Sequence, residues 1–184
     1  MTHMAAAPRE TELESGGYVK GVAIALVTQN KDPDGLCRVK VRYPWNSAPR
    51  ESYWARLAMP MAGKDRGTVF LPEVGDEVLV AFEREDVRFP YVIGSLWNGK
   101  ELPPERNKDG KNDTRMIKSR KGHTITFVDG DQNYALRIEL SDGKTLALTK
   151  DDVTLEDAKG NKLVFTSNSG AVTLEAAATL TLTG

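Results

Sequence analysis

The sequence has few of the residues that usually carry chemistry. Its 184 residues include one cysteine and two histidines. A single cysteine excludes an intramolecular disulfide, so the fold does not depend on an oxidising compartment. No apolar run approaches the roughly 18 residues of a membrane-spanning helix, and the first ten residues lack the apolar segment of a signal peptide. We therefore expect the protein to be made and folded in the cytoplasm.

The sequence also lacks an excess of charge of either sign. It has 25 Lys and Arg against 26 Asp and Glu, a formal net charge of −1. The balance holds along the chain, with 12 against 13 in residues 1–98, 4 against 4 in 99–114 and 9 against 9 in 115–184. Proteins that bind nucleic acids concentrate basic residues to displace counterions from phosphates. No nucleic-acid partner is expected.

Proline and tryptophan are absent from the second part of the chain. All nine prolines lie at or before Pro104 and all three tryptophans at or before Trp97, whereas ten of the fifteen threonines lie in 115–184. The change is centred on NGKELPPERNKDGKND, whose Pro-Pro pair and turn residues are typical of a linker. The pattern predicts a flexible N-terminus at 1–16, a first domain at 17–98, a linker at 99–114 and a second domain at 115–184.

The start of the first domain is rich in β-forming residues. The run YVKGVAIALVTQN ends at the turn KDPDG, where Pro33 fixes φ and Gly35 can adopt a positive φ. The following LCRVKVRYPW alternates between apolar and basic residues, which indicates a half-buried strand. Its alternation predicts that Cys37 is buried on the same side as Val39 and Val41.

Three further strands complete the predicted first domain. They lie in YWARLAMP, in GTVFLPEVGDEVLVAFE after the turn framed by Pro72 and Gly75, and in RFPYVIGSLWN. In the second of these, Val78, Val80 and Phe82 alternate with Leu79 and Ala81. Five or six short strands in about 85 residues without helical periodicity predict a small, nearly closed barrel. The five-stranded oligonucleotide/oligosaccharide-binding (OB) barrel is the natural candidate.

The second domain reads as a series of short strands separated by turns. The strands lie in GHTITFVDGD, YALRIELSDGK, TLALTKDD, VTLEDAKGN, KLVFTSNSG and AVTLEAAATLTLTG, and leucines recur eight residues apart. Each strand shows one apolar stripe, but the chain supplies no layer to cover it, and a lone meander cannot offset its ordering entropy. We expect identical copies to wind together, three copies suiting such short strands. The predicted trimer core is Leu140, Leu148, Leu155, Leu163, Phe165, Val172, Leu174, Leu180 and Leu182.

Several separated blocks of the sequence match a known pattern in order. They are DPDGLCRVKVRYPW, PEVGDEVLVAFE, RFPYVIGSLWN and SRKGHTITF. With these blocks, residues 17–184 resemble the tail-spike family of phage baseplate assembly protein V and valine-glycine repeat protein G. The resemblance implies an all-β fold, with an N-terminal OB barrel followed by a C-terminal intertwined trimeric β-helix or β-prism.

The resemblance also implies a mechanical function. Members of the family form the homotrimeric central spike of a contractile injection system, which is a phage tail, a type VI secretion apparatus or an extracellular contractile particle. About sixteen residues precede the barrel, so the barrel is expected to dock on a separate trimeric hub protein. The spike would be assembled in the cytoplasm with the tail tube, baseplate and effectors. Sheath contraction would then eject it through the target membrane.

The end of the chain implies a further partner. Some related spikes end in an iron-binding tip with a His-x-His motif, but no histidine follows His123 here. No metal and no cofactor are therefore expected. A blunt end at Leu182, Thr183 and Gly184 implies a face for a small cone-shaped tip protein.

Candidate catalytic residues do not form a recognisable motif. His123 in KGHTITF has no accompanying serine or cysteine motif, and Glu83, Glu85 and Asp86 in EREDVR are expected to form a solvated turn rather than an acid–base pair. The segment AGKDRGT lacks the ending of a phosphate loop, and DDVTLEDAKGN lacks the ligand order of a calcium loop. The sequence therefore predicts a protein that is not an enzyme.

Aromatic residues leave one alternative function open. OB barrels can stack bases or sugars on exposed aromatic side chains. The chain could thus be a binding module for oligosaccharide or single-stranded nucleic acid on a rigid β stalk. The balanced charge, and the loop position of Trp45 between Pro44 and Pro49, favour burial within the barrel or between barrels. The aromatic residues concerned are Tyr43, Trp45, Tyr53, Trp54 and Trp97.

Overall fold

A computed structural model of the chain describes residues 18–45 and 50–184. The predicted flexible segment 1–16 and Pro49 lie outside the described residues. The chain divides into two compact units, with the division between Leu102 and Pro103. This division falls inside the predicted linker, while the predicted domain bounds themselves stay predictions.

The part of the first unit that the structure describes, residues 18–45 and 50–102, contains seven short strands. They are β1 (Val22–Gln29), β2 (Lys40–Arg42), β3 (Arg56–Leu57), β4 (Ala62–Gly63), β5 (Arg66–Gly67), β6 (Glu77–Phe82) and β7 (Pro90–Ser95). A 3₁₀ turn, Glu83–Glu85, joins β6 to β7. Five strands form one sheet in the order β2-β1-β6-β7-β3, while β4 and β5 pair only with each other. The AGKDRGT segment thus forms a hairpin.

The five-stranded sheet closes on itself. Strand β1 pairs antiparallel with β2 and β6, β6 pairs antiparallel with β7, and β3 runs parallel to β7. Val39 and Ala55, which directly precede the outermost strands β2 and β3, form reciprocal backbone hydrogen bonds at 3.0 and 2.7 Å. Five strands closed in this way are consistent with the predicted OB barrel.

The barrel interior is filled by the alternating side chains of its strands. In β6, Val78, Val80 and Phe82 are buried between half-buried neighbours, which confirms the predicted alternation. Most of the other inward side chains are also small or β-branched, as the interior of a five-stranded barrel requires. The core consists of Ala23, Ala25, Val27, Val39, Val41, Tyr43, Ala55, Val78, Val80, Phe82, Val87 and Val92.

The prediction that Cys37 is buried is wrong. Strand β2 begins only at Lys40, and Cys37 is exposed with a φ of 54°. The cause is Asp32, whose side chain is 2% exposed and accepts the backbone N–H groups of Leu36 and Arg38. Because the chain curls around this carboxylate, the alternation read from LCRVKVRYPW does not begin until Val39.

The second unit is a single antiparallel sheet of seven strands in chain order. The strands are β8 (Thr114–Lys118), β9 (Thr124–Val128), β10 (Ala135–Glu139), β11 (Thr145–Thr149), β12 (Asp152–Glu156), β13 (Lys162–Thr166) and β14 (Ala171–Glu175). Each of the six predicted strand segments contains one strand, and β8 is an additional strand that starts inside the predicted linker. In the described part of this unit, neither a helix nor a second sheet covers the strands.

Three hairpins of this sheet share one turn geometry. In the loops 119–123, 140–144 and 157–161, the N–H of the first residue donates to the carbonyl of the fifth at 2.8, 2.9 and 3.0 Å. The fourth residue is a glycine with φ of 91°, 91° and 90° at Gly122, Gly143 and Gly160. This left-handed conformation is strained for residues that carry a Cβ, so the repeated turn requires its glycine.

Candidate functional site

One face of the C-terminal sheet is apolar along all seven strands. Directly opposed residues of neighbouring strands share a face, as do residues two apart in one strand. Following the register from β8 to β14 gives two columns of large side chains on one face. The first column is Ile117, Ile125, Ile138, Leu146, Leu155, Leu163 and Leu174. The second is Phe127, Leu136, Leu148, Val153, Phe165 and Val172, with Arg115 at its β8 end.

The opposite face has a different composition. Its middle column is Met116, Thr126, Arg137, Ala147, Thr154, Val164 and Thr173. An outer column carries Lys118, Thr124, Glu139, Thr145, Glu156, Lys162 and Glu175, and the charge alternates in sign over the last three of these. Small and polar side chains of this kind can face water. Only the apolar face therefore requires a cover.

The apolar face is uncovered within the second unit. Leu155 is 56% exposed and Val172 is 62% exposed, and the sheet's only buried hydrophobic residues are Ala135 and Ala147. The two columns extend over seven strands, about 29 Å at the usual spacing of about 4.8 Å. Monomeric soluble proteins rarely expose contiguous apolar patches of this extent. We therefore identify the apolar face as the candidate functional site.

Six of the nine residues predicted for the trimer core lie on the apolar face. They are Leu148, Leu155, Leu163, Phe165, Val172 and Leu174. Leu140 is instead the first residue of a turn, and Leu180 and Leu182 follow β14 outside any strand. Thr183 and Gly184, predicted for the tip face, are exposed beside Leu182. Burial of the predicted set in a trimer, and contact of the end with a tip protein, stay predictions.

Seven members of the apolar face were missing from the predicted set. Neighbouring antiparallel strands run in opposite directions. Residues at a fixed spacing in the sequence therefore do not lie opposite each other in neighbouring strands. Leu146 and Leu163, in one column two strands apart, differ by 17 positions (163 − 146). A pair of apolar residues two apart in one strand would have found the missing members except Ile117, whose neighbour on the same face of β8 is Arg115. The missing members are Ile117, Ile125, Phe127, Leu136, Ile138, Leu146 and Val153.

The aromatic residues of the barrel lie in different environments. Tyr43 is buried and stacks on Trp45 with 5.1 Å between ring centroids, and burial raises the pKa of its hydroxyl. Trp54 is half-buried, whereas Tyr53 and Trp97 are 62% and 68% exposed. Burial within the barrel is thus confirmed for Tyr43 and is wrong for Tyr53 and Trp97. Burial between barrels stays a prediction.

Trp54 lies beside two cations that are already paired. The Arg38 guanidinium and the Lys40 ammonium are 5.7 and 5.3 Å from the ring centroid. Arg38 forms an ion pair with Asp32 at 2.8 Å and Lys40 with Glu51 at 3.5 Å. The Arg38 side chain also holds the pKa of the Asp32 carboxyl well below its usual range. The surface around Trp54 therefore offers little unpaired positive charge to the phosphate backbone of a nucleic acid.

The candidate catalytic groups take part in turns and ion pairs. The Nδ1 atom of His123 accepts the backbone N–H of Ser141 at 3.1 Å, which ties two stacked turns together. The carboxylate of Asp86 binds Arg88 at 2.6 Å. Over 18–45 and 50–184, no cluster of three or more His, Cys, Asp or Glu residues could hold a metal ion. The same residues include no helix long and apolar enough to cross a bilayer.

One aspartate of the acidic segment DDVTLEDAKGN shapes a turn. The carboxylate of Asp157 accepts the backbone N–H groups of Lys159 and Asn161 at 2.7 and 3.0 Å. Hydrogen bonds from Asn161 and these backbone groups lower the pKa of Asp157. Turn formation, as predicted, accounts for Asp157.

Comparison with known proteins gives matches in both units. Residues 23–97 match the type VI secretion system/phage-baseplate injector OB domain. The type VI secretion system spike protein VgrG1c of Pseudomonas aeruginosa is 28% identical over 147 residues, covering 66% of this chain and 20% of the relative. The spike protein VgrG3 of Vibrio cholerae is 33% identical over 104 residues, covering 52% and 10%. The actin cross-linking toxin VgrG1 of Vibrio cholerae is 31% identical over 94 residues, covering 47% and 9%. The chain thus spans about a fifth or less of the length of these relatives.

Proposed function

Because this chain belongs to the family of phage baseplate V and type VI secretion spike proteins, we propose that it forms the central spike of a contractile injection system. The injector OB domain at 23–97 and the spike relatives support this proposal. The machine would be a phage tail, a type VI secretion apparatus or an extracellular contractile particle. The chain would be assembled in the cytoplasm and ejected with the particle's contents.

In the proposed spike, three copies turn their apolar faces toward a common axis. The observation that carries this proposal is the face of thirteen large apolar side chains that nothing in the second unit covers. Three copies would bury all of these side chains. The opposite face of each sheet, which is rich in threonine, would remain in water. Hydrophobic burial on this scale is the main favourable term in such assemblies.

The dimensions of the sheet suit three copies. A five-residue strand is about 17 Å long, and an equilateral triangle with sides of this length places each sheet about 5 Å from the axis. Facing sheets normally pack about 10 Å apart, so side chains of leucine size would meet at the axis. Four copies would set opposite sheets about 17 Å apart and leave a channel, which apolar side chains would not tolerate.

The proposed spike would have a partner for each unit. The barrel would dock on a separate trimeric hub protein, and residues 182–184 would face a small tip protein. Sheath contraction would supply the force, so the spike would need stiffness rather than a catalytic site, a cofactor or a nucleic acid. Contact with the target membrane would be transient. The actin cross-linking in the name of one relative is a property of that protein.

Light scattering on the purified full chain tests the proposed assembly. The expected mass is three times the chain mass of 20.2 kDa, and residues 115–184 should resist protease in the assembled protein. A stable monomer at micromolar concentration would overturn the proposal. A stable dimer would instead indicate two sheets packed face to face, which also contradicts a threefold spike.

A further inference from the structure

The segment after β14 has the spacing of another hairpin. In the three hairpins with loops 119–123, 140–144 and 157–161, a five-residue loop separates two directly opposed residues. These opposed pairs are Lys118 and Thr124, Glu139 and Thr145, and Glu156 and Lys162. The same loop length after Glu175 places a fourth turn at 176–180 and brings Thr181 opposite Glu175.

The side chains after this turn fit the two faces of the sheet. The register places Leu182 opposite Leu174, at the end of the first apolar column. Thr181 and Thr183 then fall on the threonine-rich face. The same position holds an apolar pair in every earlier hairpin of this type, namely Ile117 with Ile125, Ile138 with Leu146, and Leu155 with Leu163.

The first half of the fourth turn already stacks on the third. The backbone N–H of Ala177 donates to Oδ1 of Asn161 at 3.0 Å. A Cβ placed on Gly160 would lie 3.8 Å from the Cβ of Ala177, and one on Gly143 would lie 3.1 Å from that of Ala158. Ala177 therefore occupies the place in the fourth turn that Ala158 occupies in the third.

The fourth turn differs from the others in lacking its glycine. The position held by Gly122, Gly143 and Gly160 falls on Thr179, and a β-branched residue is strained in the left-handed conformation that the turn requires. Thr179 does not adopt a positive φ in the structure, and residues 176–184 contain no strand. The turn sequence therefore opposes closure of this hairpin in the isolated chain.

We propose that residues 181–184 form an eighth strand of the C-terminal sheet. This strand pairs with β14 only when the apolar face is covered. This inference rests on the proposed spike, because assembly would bury Leu182 and so offset the unfavourable turn at Thr179. Paired in this way, the segment would occupy the open hydrogen-bonding edge of β14. The side chain of Leu182 would point to the axis, and a tip protein would meet the backbone edge of this strand.

Amide hydrogen exchange on the full chain tests the eighth strand. The mass of the same sample is measured by light scattering, so that assembly and strand formation are read separately. In a trimer, the amides of 181–183 should exchange at least about tenfold more slowly than those of an unstructured peptide. Thr179→Gly should slow their exchange by about a further tenfold, because glycine accepts the left-handed turn, and Thr179→Ala is the matched control without that freedom.

The outcomes separate the eighth strand from the spike. A trimer whose 181–183 amides exchange at the unstructured rate overturns the eighth strand and leaves the spike proposal intact. A monomer overturns the spike proposal. In that monomer, protection of 181–183 in the unmodified chain would overturn the dependence of the pairing on a covered apolar face, and unprotected amides would agree with that dependence.

A second pair of variants tests the direction of the side chains. Leu182→Asp would place a charge in the apolar column, whereas Leu180→Asp changes the turn position that His123, Lys144 and Asn161 occupy in the other hairpins. We expect Leu182→Asp to abolish the protection of 181–183 and Leu180→Asp to retain it. Equal effects of the two substitutions would overturn the proposed register.

Discussion

The barrel and the C-terminal sheet are both built from short strands, yet only the barrel buries its apolar side chains by itself. Twelve side chains among the described residues form the barrel core, whereas two alanines are the only buried hydrophobic residues of the sheet. The barrel closes through Val39 and Ala55, so the inward side chains of each strand meet those of the others. The sheet stays open and one layer thick. Similar apolar patterning therefore produces a core where the sheet closes and an exposed apolar face where it does not.

The largest expected effect comes from a charge on the apolar face. Leu155→Asp would place three carboxylates around the axis of the proposed trimer, and each unpaired buried charge costs several kcal/mol. We expect the variant to be monomeric by light scattering. The barrel should remain folded, because its core is separate.

Thr154→Asp is the matched control for this substitution. Thr154 is the adjacent residue of β12, on the opposite face of the same sheet. Its variant should keep the mass of the unmodified protein. Loss of assembly in both variants, or in neither, would mean that the apolar face does not point inward.

A cavity in the barrel should act only on the barrel. Val80 is fully buried, and Val80→Ala should lower the free energy of unfolding of the barrel by about 2 kcal/mol. Calorimetry should show a barrel transition that is independent of protein concentration, while the transition of the assembled sheet rises with concentration. A Val80→Ala variant that lowers the sheet transition by the same amount would show that the two units do not unfold separately.

A smaller effect is expected at a turn of the sheet. Gly143 has a φ of 91°, and a Cβ there would lie 3.1 Å from the Cβ of Ala158. Gly143→Ala should destabilise each copy of the sheet by about 1–2 kcal/mol, measured as a lower melting temperature of the assembly. Gly99→Ala serves as the control, because a Cβ at Gly99 has no neighbour within 4 Å. If the two variants melt alike, the left-handed turn does not contribute to stability.

The smallest effect is expected from pH, and it concerns the barrel. Hydrogen bonds from Arg38 lower the pKa of Asp32 in the folded barrel, so the unfolded chain binds its proton at higher pH. The stabilisation is therefore complete above the unfolded pKa of about 3.9 and is lost as pH falls below it. The melting temperature of the barrel should fall in acid, and Asp32→Asn should flatten that fall. An unchanged slope in the variant would contradict the assigned role of Asp32.

The sequence was a good guide where the pattern of a strand is local. Strand β6 was predicted with its inward residues because Val78, Val80 and Phe82 alternate without interruption. The burial of Cys37 was predicted wrongly because the side chain of Asp32, in the preceding turn, accepts the backbone N–H groups of Leu36 and Arg38. The alternation of apolar and polar residues does not reveal such hydrogen bonds between a side chain and the backbone.

The sheet shows a different limit of sequence patterns. The absence of a covering layer was readable from the sequence, and it led to the expectation of assembly. The membership of the apolar face was not readable from the leucine spacing, since Leu140 lies in a turn while Ile138 lies in the column. The register of antiparallel strands depends on the length of each turn, and that length varies between hairpins.

Cross-linking at Leu155 most directly tests the claim that the apolar face points toward neighbouring copies in the assembly. The variant Leu155→Cys is prepared with Cys37→Ser, so that it carries one thiol per chain, and is treated with a short bis-maleimide. The claim predicts covalently linked pairs of chains at low protein concentration, and no linked chains for Thr154→Cys with Cys37→Ser. Linked chains from Thr154→Cys, with none from Leu155→Cys, would contradict it.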